Sequence, residues 1–146
     1  MEQNEIPVIQ YQKWITRQNL RNNPDTIYIF GDNVERLGYG GQAKEMRGEP
    51  NALGIATKFS PDMNAQSFFS DSNGMSWIAV KEDIAKLQFM IDNGHRIIVP
   101  YDGLGTGLSQ LPIRAPRIYG FLYQYFYDLS DGFCPWEQPT MINQKV

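Results

Sequence analysis

The stretch "RIIVPYDGLGTGLSQLP" (Arg96 to Pro112) decides how the chain folds. Its apolar start, "RIIVP", is typical of a strand buried on both faces of a parallel sheet. The strand runs directly into three alternating glycines at positions 103, 105 and 107. Glycine is the most costly residue to order and the most permissive in φ and ψ. The spacing therefore indicates that the backbone itself has a task at this strand end, either as a tight turn or as a cradle for a ligand.

Strands and helices alternate on both sides of this stretch. "TIYIF" predicts a buried strand that ends at Gly31, and "NALGIATKF" predicts a second. "PVIQYQKW" favours a short edge strand, which Pro7 weakens. The segments that predict helices are "GGQAKEMRG", "SWIAVKEDIAKLQFMIDNG" and "APRIYGFLYQYFYDL". This order predicts an α/β fold, in which ligands bind beyond the carboxyl ends of the strands.

The helix before "RIIVP" has the clearest boundaries. Ser76 is a typical N-cap and Gly94 a typical C-terminal stop. We expect the apolar side chains at 78, 84, 87 and 91 to share one buried face.

Length and composition bound the class of protein. A chain of 146 residues fits one domain, with a core over about 16–130 and an irregular tail over 131–146 that packs through Phe133 and Trp136 or frays. The net charge of −3, without a run of Lys or Arg, argues against a nucleic-acid polymer as partner. It leaves room for a single nucleotide, which backbone amides can bind.

Metal and membrane sites are not expected. Cys134 is the one cysteine and His95 the one histidine, which excludes an intramolecular disulfide and disfavours a metal centre. No apolar stretch approaches the length of a membrane span, and the N-terminus does not have the pattern of a signal peptide. We expect a cytoplasmic protein without cofactor.

Two glycine-rich segments, 38–41 and 103–107, fall at the same predicted sheet edge. Neither matches a P-loop. "GYGGQA" fits G-x-G-x-x-A, but "GDNVERL" separates it from its strand and the next strand ends in Lys58 rather than an acid. Both departures argue against a dinucleotide-binding Rossmann motif.

Together the two loops resemble those of macrodomains, α/β modules that bind ADP-ribose. "GYGGQAKEM" is similar to the first loop and helix of that family, and "DGLGTGLSQLP" to the second loop. More narrowly, "TRQNLRNNPDTIYIFGDN" and "GGQAKEMRGEPNALGIATK" are similar to small uncharacterised bacterial and phage proteins, over roughly 16–127. The resemblance implies a compact three-layer α/β/α fold with a mixed, mostly parallel sheet.

The resemblance also implies a ligand site. The second loop would bind a diphosphate through backbone N–H groups, and the first loop, helped by the helix that it opens, would meet the diphosphate or the distal ribose. Asp32 and Asn33 would bond ribose hydroxyls or an adenine amine, or else cap a turn. Arg47 would pair with a phosphate or a carboxylate, or with Glu49 in a turn. The loop residues in this prediction are Gly38, Gly40, Gly41, Gln42, Gly103, Leu104, Gly105, Thr106, Gly107 and Leu108.

A catalytic role is implied for Lys58. Macrodomains of the terminal ADP-ribose protein glycohydrolase type end the corresponding strand in "-T-K", and that lysine attacks the distal ribose. The family places an aspartate where this chain has Ser109, so Asp102 is the candidate substitute acid. The alternatives for Lys58 are a phosphate contact or a solvated lysine at a strand end.

Three functions stay open from the sequence. The first is hydrolysis of ADP-ribose from a protein or a small-molecule derivative. The second is sequestration of an NAD-derived nucleotide signal without catalysis, which in a phage would counter host defence. The third is an α/β interaction protein whose glycines only make turns. The expected partners are a small nucleotide and an ADP-ribosylated protein, without a nucleic-acid polymer or a membrane.

Overall fold

The computed structural model describes residues 8–139, which form a four-stranded sheet flanked by helices. The strands pair in the order β1-β4-β2-β3, and every pair is parallel. The elements in chain order are β1 (Ile9–Gln12), α1 (Arg17–Asn22), β2 (Thr26–Asn33), α2 (Ala43–Met46), β3 (Ala52–Lys58), a 3₁₀ turn (Ala65–Ser67), α3 (Gly74–Asp92), β4 (Arg96–Pro100), α4 (Leu111–Arg114) and α5 (Pro116–Leu129).

Alternating side chains of the central strands divide the core into two layers. On one face, Ile29 belongs to the cluster that contains the buried side chains of α3 and α5. On the other face, Tyr28 and Phe30 pack with Leu20 of α1 and Met46 of α2. This arrangement confirms the α/β/α prediction. The four strands are all parallel, and antiparallel pairing within residues 8–139 is limited to an isolated bridge between residues 58 and 68.

The strand β2 runs two residues further than "TIYIF" predicts. Asp32 and Asn33 remain paired with β3, opposite Ala56 and Lys58. A bulge between the two residues shifts the register by one position. Gly31 therefore does not end the strand. The bulge carries two polar side chains onto the edge of the sheet where the glycine loops begin.

The predicted boundaries of α3 are partly wrong. Asn73, not Ser76, is the N-cap, and its side chain accepts a hydrogen bond from the backbone N–H of Met75. Ser76 is instead fully buried, and its hydroxyl accepts the N–H of Ser70. Ile78 is 51% exposed, so the predicted apolar face is rotated. The C-terminus agrees with prediction, because Gly94 takes the left-handed φ of +90° that ends a helix.

The ends of the described chain pack against the sheet. Trp136 is buried, and its indole N–H donates to the carbonyl of Pro100. Phe133 is half exposed and meets the ring of Tyr11 edge-on. The predicted edge strand is present as β1, whereas Pro7 lies outside the described residues. The turn α4 was not predicted. Within residues 8–139 no helix has both the length and the apolarity to cross a membrane.

A buried carboxylate attaches α3 to the outer strand β3. Asp83 is 1% exposed in its side chain and accepts the N–H of Ala56 at 2.8 Å. The guanidinium of Arg36 donates to both oxygens of this carboxylate, each at 2.8 Å. Burial alone would lower the pKa of Arg36, but the hydrogen bonds and charges of Asp83 and Asp32 together outweigh burial and raise that pKa. The pair thus closes the exposed edge of the sheet.

We predict that Asp83→Ala lowers the free energy of unfolding by about 3 kcal/mol, because it leaves a guanidinium and a backbone N–H without their acceptor. Urea unfolding measures this change. The matched control is Lys86→Ala, on the same helix, because the Lys86 side chain is 59% exposed and its ammonium lies 3.4 Å from the same carboxylate. It should change stability by less than about 0.5 kcal/mol. Equal losses in the two variants would contradict a structural role for the buried pair.

Candidate ligand-binding site

A cavity of about 270 Å³ opens at the carboxyl edge of the sheet, between the ends of β2 and β3 and the two glycine-rich segments. We call residues 38–42 the first glycine loop and residues 103–109 the second glycine loop. The two loops nearly touch, since a Cβ built on Gly40 would lie 3.1 Å from Cδ1 of Leu108. The predicted convergence of the two loops is therefore present in the fold.

Most of the residues predicted from the sequence line this cavity. They are Asp32, Asn33, Gly38, Gly40, Gly41, Gln42, Arg47, Lys58, Gly103, Gly105, Thr106, Gly107 and Leu108. Two predicted residues do not line it. Leu104 is fully buried beneath the second loop, and Asp102 is exposed. The structure therefore does not bring Asp102 together with Lys58.

Six further residues line the cavity without having been predicted as ligand contacts: Gly31, Leu37, Ala43, Thr57, Pro61 and Ser109. Ser109 was singled out only as a departure from the glycohydrolase pattern. In the structure its hydroxyl lies 2.7 Å from that of Thr57, which in turn donates to the carbonyl of Asp32. Thr57 lies next to the end of β3, and the alternation of side chains along a strand places it on the opposite face from Lys58. Its position at the strand end was the signal that could have identified it.

Arg47 and Asp32 bind each other. The two terminal nitrogens of Arg47 donate to the two carboxylate oxygens of Asp32, at 2.5 and 3.3 Å. The expected pairing of Arg47 with Glu49 is wrong, because Glu49 binds Arg17 and Arg21 instead. These two ion pairs lower the pKa of the Glu49 carboxyl. The bidentate partner of Arg47 is thus a carboxylate of the protein itself.

The carboxylate of Asp32 is fully used inside the protein. It also accepts the backbone N–H of Asn33 at 2.8 Å and a long hydrogen bond from Arg36. Its side chain is only 2% exposed. Gly54 of the neighbouring strand makes room for it, since a Cβ there would lie in severe overlap with the carboxylate. A residue larger than glycine cannot stand at 54 without displacing Asp32.

The amides of Asn33 and Gln42 hold the loops in shape. Asn33 donates to the carbonyl of Leu37 and accepts its N–H, so the turn-capping interpretation describes this contact. Gln42 accepts the N–H of Gly31 at 2.9 Å and donates to the carbonyl of Gly103 at 3.1 Å. The side chain of Gln42 therefore bridges the end of β2 and the second glycine loop.

Two glycines in the second loop cannot be replaced without strain. Gly103 and Gly105 have φ values of +114° and +73°. A Cβ at 105 would lie 2.9 Å from Leu111 and 3.2 Å from Thr57. Gly107 differs, since it lacks a positive φ and a Cβ there would have no neighbour within 4 Å. Close packing therefore explains why glycine stands at positions 103 and 105, but it does not explain the glycine at position 107.

The carbonyls of the two loops point into the protein. Gly38 accepts from Arg47 at 2.7 Å, Gly105 accepts the N–H of Leu111, and Gly107 accepts that of Gln110. The backbone N–H groups of the same loops behave in the opposite way. Among the described residues, none serves as acceptor for the N–H of Gly38, Gly40, Gly41, Gln42, Gly105, Thr106, Gly107, Leu108 or Ser109. All nine of these residues line the cavity, so their amides are available to a ligand that enters it.

The helix that follows the first loop adds little to this site. We expected its N-terminus to assist anion binding, but α2 is a single turn of four residues. The macrodipole grows from aligned peptide units, so one turn contributes only weakly. The donors of the first loop are its own amides.

Lys58 is buried at the floor of the cavity rather than solvated. It is 4% exposed, and its ammonium donates to the carbonyl of Asp62 at 2.6 Å and lies 4.5 Å from the ring centre of Phe68. Burial lowers the pKa of Lys58, and the guanidinium of Arg114 lowers it further, although Asp62 acts in the opposite direction. The interpretation as a solvated strand-end lysine is wrong.

These features define an α/β protein with a ligand-sized cavity at the carboxyl edge of a parallel sheet. Residues 10–125 match the model of a family of unknown function (DUF7831), and the chain belongs to that family. Neither a curated protein nor a solved structure matches the chain. Within residues 8–139 there is also no group of three or more His, Cys, Asp or Glu side chains that could hold a metal ion.

We predict that Gly105→Ala lowers the free energy of unfolding by roughly 2 kcal/mol or more, because it combines a left-handed backbone with a steric overlap. Gly107→Ala should change stability by less than about 0.5 kcal/mol. Chemical denaturation of the two variants checks both values. A Gly107 variant as unstable as the Gly105 variant would mean that the loop conformation is not the one described.

Proposed function

We propose that this protein binds ADP-ribose or a related NAD-derived nucleotide, with the diphosphate held between the two glycine loops. The observation that carries the proposal is the row of nine loop amides without a protein acceptor, next to carbonyls that are turned inward. Successive backbone N–H groups in turns form anion-binding concavities. Donors on two facing loops suit a ligand with several acceptor oxygens.

The charges around the cavity favour a phosphate bound by amides. The lining residues Arg47 and Lys58 are cationic, but Arg47 is paired with the carboxylate of Asp32, and the ammonium of Lys58 donates to the backbone carbonyl of Asp62. The guanidinium of Arg47 is therefore not a free counter-ion for a ligand. The net charge of −3 likewise gives no long-range attraction for a polyanion such as nucleic acid. A single diphosphate can still bind through short-range hydrogen bonds.

The nucleotide part of the proposal rests on the resemblance of both loops to those of macrodomains. It is supported by size, because small-molecule sites usually enclose roughly 300–1,000 Å³. The present cavity of about 270 Å³ is slightly below the lower end of that range and is open to solvent. A diphosphate with one attached sugar is of suitable size, and the rest of a nucleotide would extend over the rim.

We expect isothermal titration calorimetry to detect ADP-ribose binding to the wild-type protein and at least tenfold weaker binding to Gly107→Val. The valine would occupy space that the ligand needs, while the open surroundings of Gly107 leave the fold intact. The matched control is Gly74→Val at the start of α3, where a Cβ also has no neighbour within 4 Å. Absence of heat with ADP-ribose, NAD and their cyclic derivatives would overturn the proposal, and so would full binding by a folded Gly107→Val variant.

A second candidate function, removal of ADP-ribose from a protein or a small molecule, is favoured by the buried Lys58. An amine whose pKa is lowered by burial has a larger neutral fraction, and the neutral amine is the nucleophile. Asp32 is the one acid among the residues that line the described cavity, and its carboxylate is already paired. This candidate function therefore lacks a positioned general acid, and binding without turnover is the better-supported proposal.

If the protein is a hydrolase, Lys58→Ala should abolish release of ADP-ribose from a mono-ADP-ribosylated protein while binding of free ADP-ribose is retained. The wild-type rate should rise with pH and level off below the ordinary lysine pKa of about 10.4, because deprotonation activates the amine. Release that is unchanged in the variant would exclude Lys58 as the nucleophile. Lys81→Ala, on the exposed side of α3, controls for loss of a positive charge.

A further inference from the structure

Around the cavity, several polar side chains are hydrogen-bonded within the protein, whereas backbone N–H groups of the glycine loops have no protein acceptor among the described residues. Three polar side chains that could recognise a ligand already bind groups of the protein. Asp32 is paired with two arginines, and Asn33 binds the backbone of Leu37. Gln42 binds the backbone of Gly31 and Gly103. Reading a nucleobase requires hydrogen bonds to its edge, and a site built that way rejects the wrong partner strongly. At this cavity, the three side chains suited to such recognition instead hold the loops and strands together.

The rim offers apolar surface instead. Tyr39 projects from the first glycine loop with 67% of its surface exposed, and Leu37 and Leu108 beside the cavity are 57% and 60% exposed. An aromatic ring stacks on any base, because every base has a π-face. The exposed ring of Tyr39, in a loop that borders the cavity, is therefore suited to stack on a base without discriminating between bases.

We infer that the site recognises the diphosphate and its attached pentose and does not read the base, so that it accepts purine nucleotides of this class regardless of their exocyclic groups. The inference rests on the proposed function for the location of the diphosphate. It departs from the expectation that Asp32 or Asn33 bonds the adenine amine. The carboxylate of Asp32 is 2% exposed and already accepts four hydrogen bonds within the protein, from Arg47, Arg36 and the N–H of Asn33.

The test compares three probes by calorimetry: ADP-ribose, inosine diphosphate ribose and inorganic pyrophosphate. Inosine diphosphate ribose carries a carbonyl in place of the adenine amine and an N1–H donor in place of the adenine N1 acceptor, and it keeps the rest of the ligand unchanged. We expect its dissociation constant to be within threefold of that of ADP-ribose. A loss of tenfold or more would overturn the inference and leave the proposed function standing.

The opposite failure is also recognisable. If pyrophosphate binds but ADP-ribose does not, the proposed nucleotide function is overturned while recognition of the diphosphate alone stands. If none of the three probes binds, both ideas are overturned.

Tyr39→Ala provides the second readout. It should weaken ADP-ribose and inosine diphosphate ribose to the same extent, by about tenfold for one stacked base, and leave pyrophosphate unchanged. Unequal losses for the two nucleotides would mean that the rim reads the base. Because Tyr39 is exposed, its replacement leaves the core packing unchanged. The matched control is Phe89→Ala, which removes a similarly exposed ring from α3.

Discussion

The buried carboxylate of Asp32 is the constraint on which the site depends. A charge taken out of water must be paired and fully hydrogen-bonded, and Asp32 meets this requirement with Arg47 and Arg36. Arg47 then has donors left for two carbonyls of the segment that leads into the first glycine loop. Arg36 continues to Asp83, so the same charge network reaches α3. Asp32, at the end of β2, thereby helps to fix the positions of both the first glycine loop and α3.

The same network also occupies carbonyls beside the cavity. Arg47 binds the carbonyls of Leu37 and Gly38, whereas the loop amides without a protein acceptor belong to residues that line the cavity. Gln42 extends this arrangement to the second loop by binding the carbonyl of Gly103. In the proposed function these amides would recognise a diphosphate through the geometry of their hydrogen bonds, and the net negative charge of the chain would not attract a polyanion over a long range.

The sequence predicted the framework well because its signals are local. Apolar runs identified all four strands, and alternating glycines identified the two loops. The partners of the polar residues could not be predicted, since Arg47 and Asp32 meet across fifteen positions and Arg36 reaches Asp83 across forty-seven. An acid in an amphipathic helix such as α3 is ordinarily solvated. Asp83 is buried because its carboxylate binds the N–H of Ala56 in the adjacent edge strand β3. Contacts set by tertiary packing leave no periodic trace in a single sequence.

The proposed binding and the candidate chemistry would rest on different elements of this fold. The proposed cradle consists of backbone groups of the two glycine loops, whereas the ammonium of Lys58 contacts Asp62 and Phe68 in the segment that follows β3. Loss of the lysine leaves every loop amide in place, and loss of the cradle leaves the lysine buried. A sequence can therefore keep the glycines while the acid expected beside them is replaced by Ser109. The glycine motif accordingly supports ligand binding directly, and it supports catalysis only where a positioned acid accompanies the lysine.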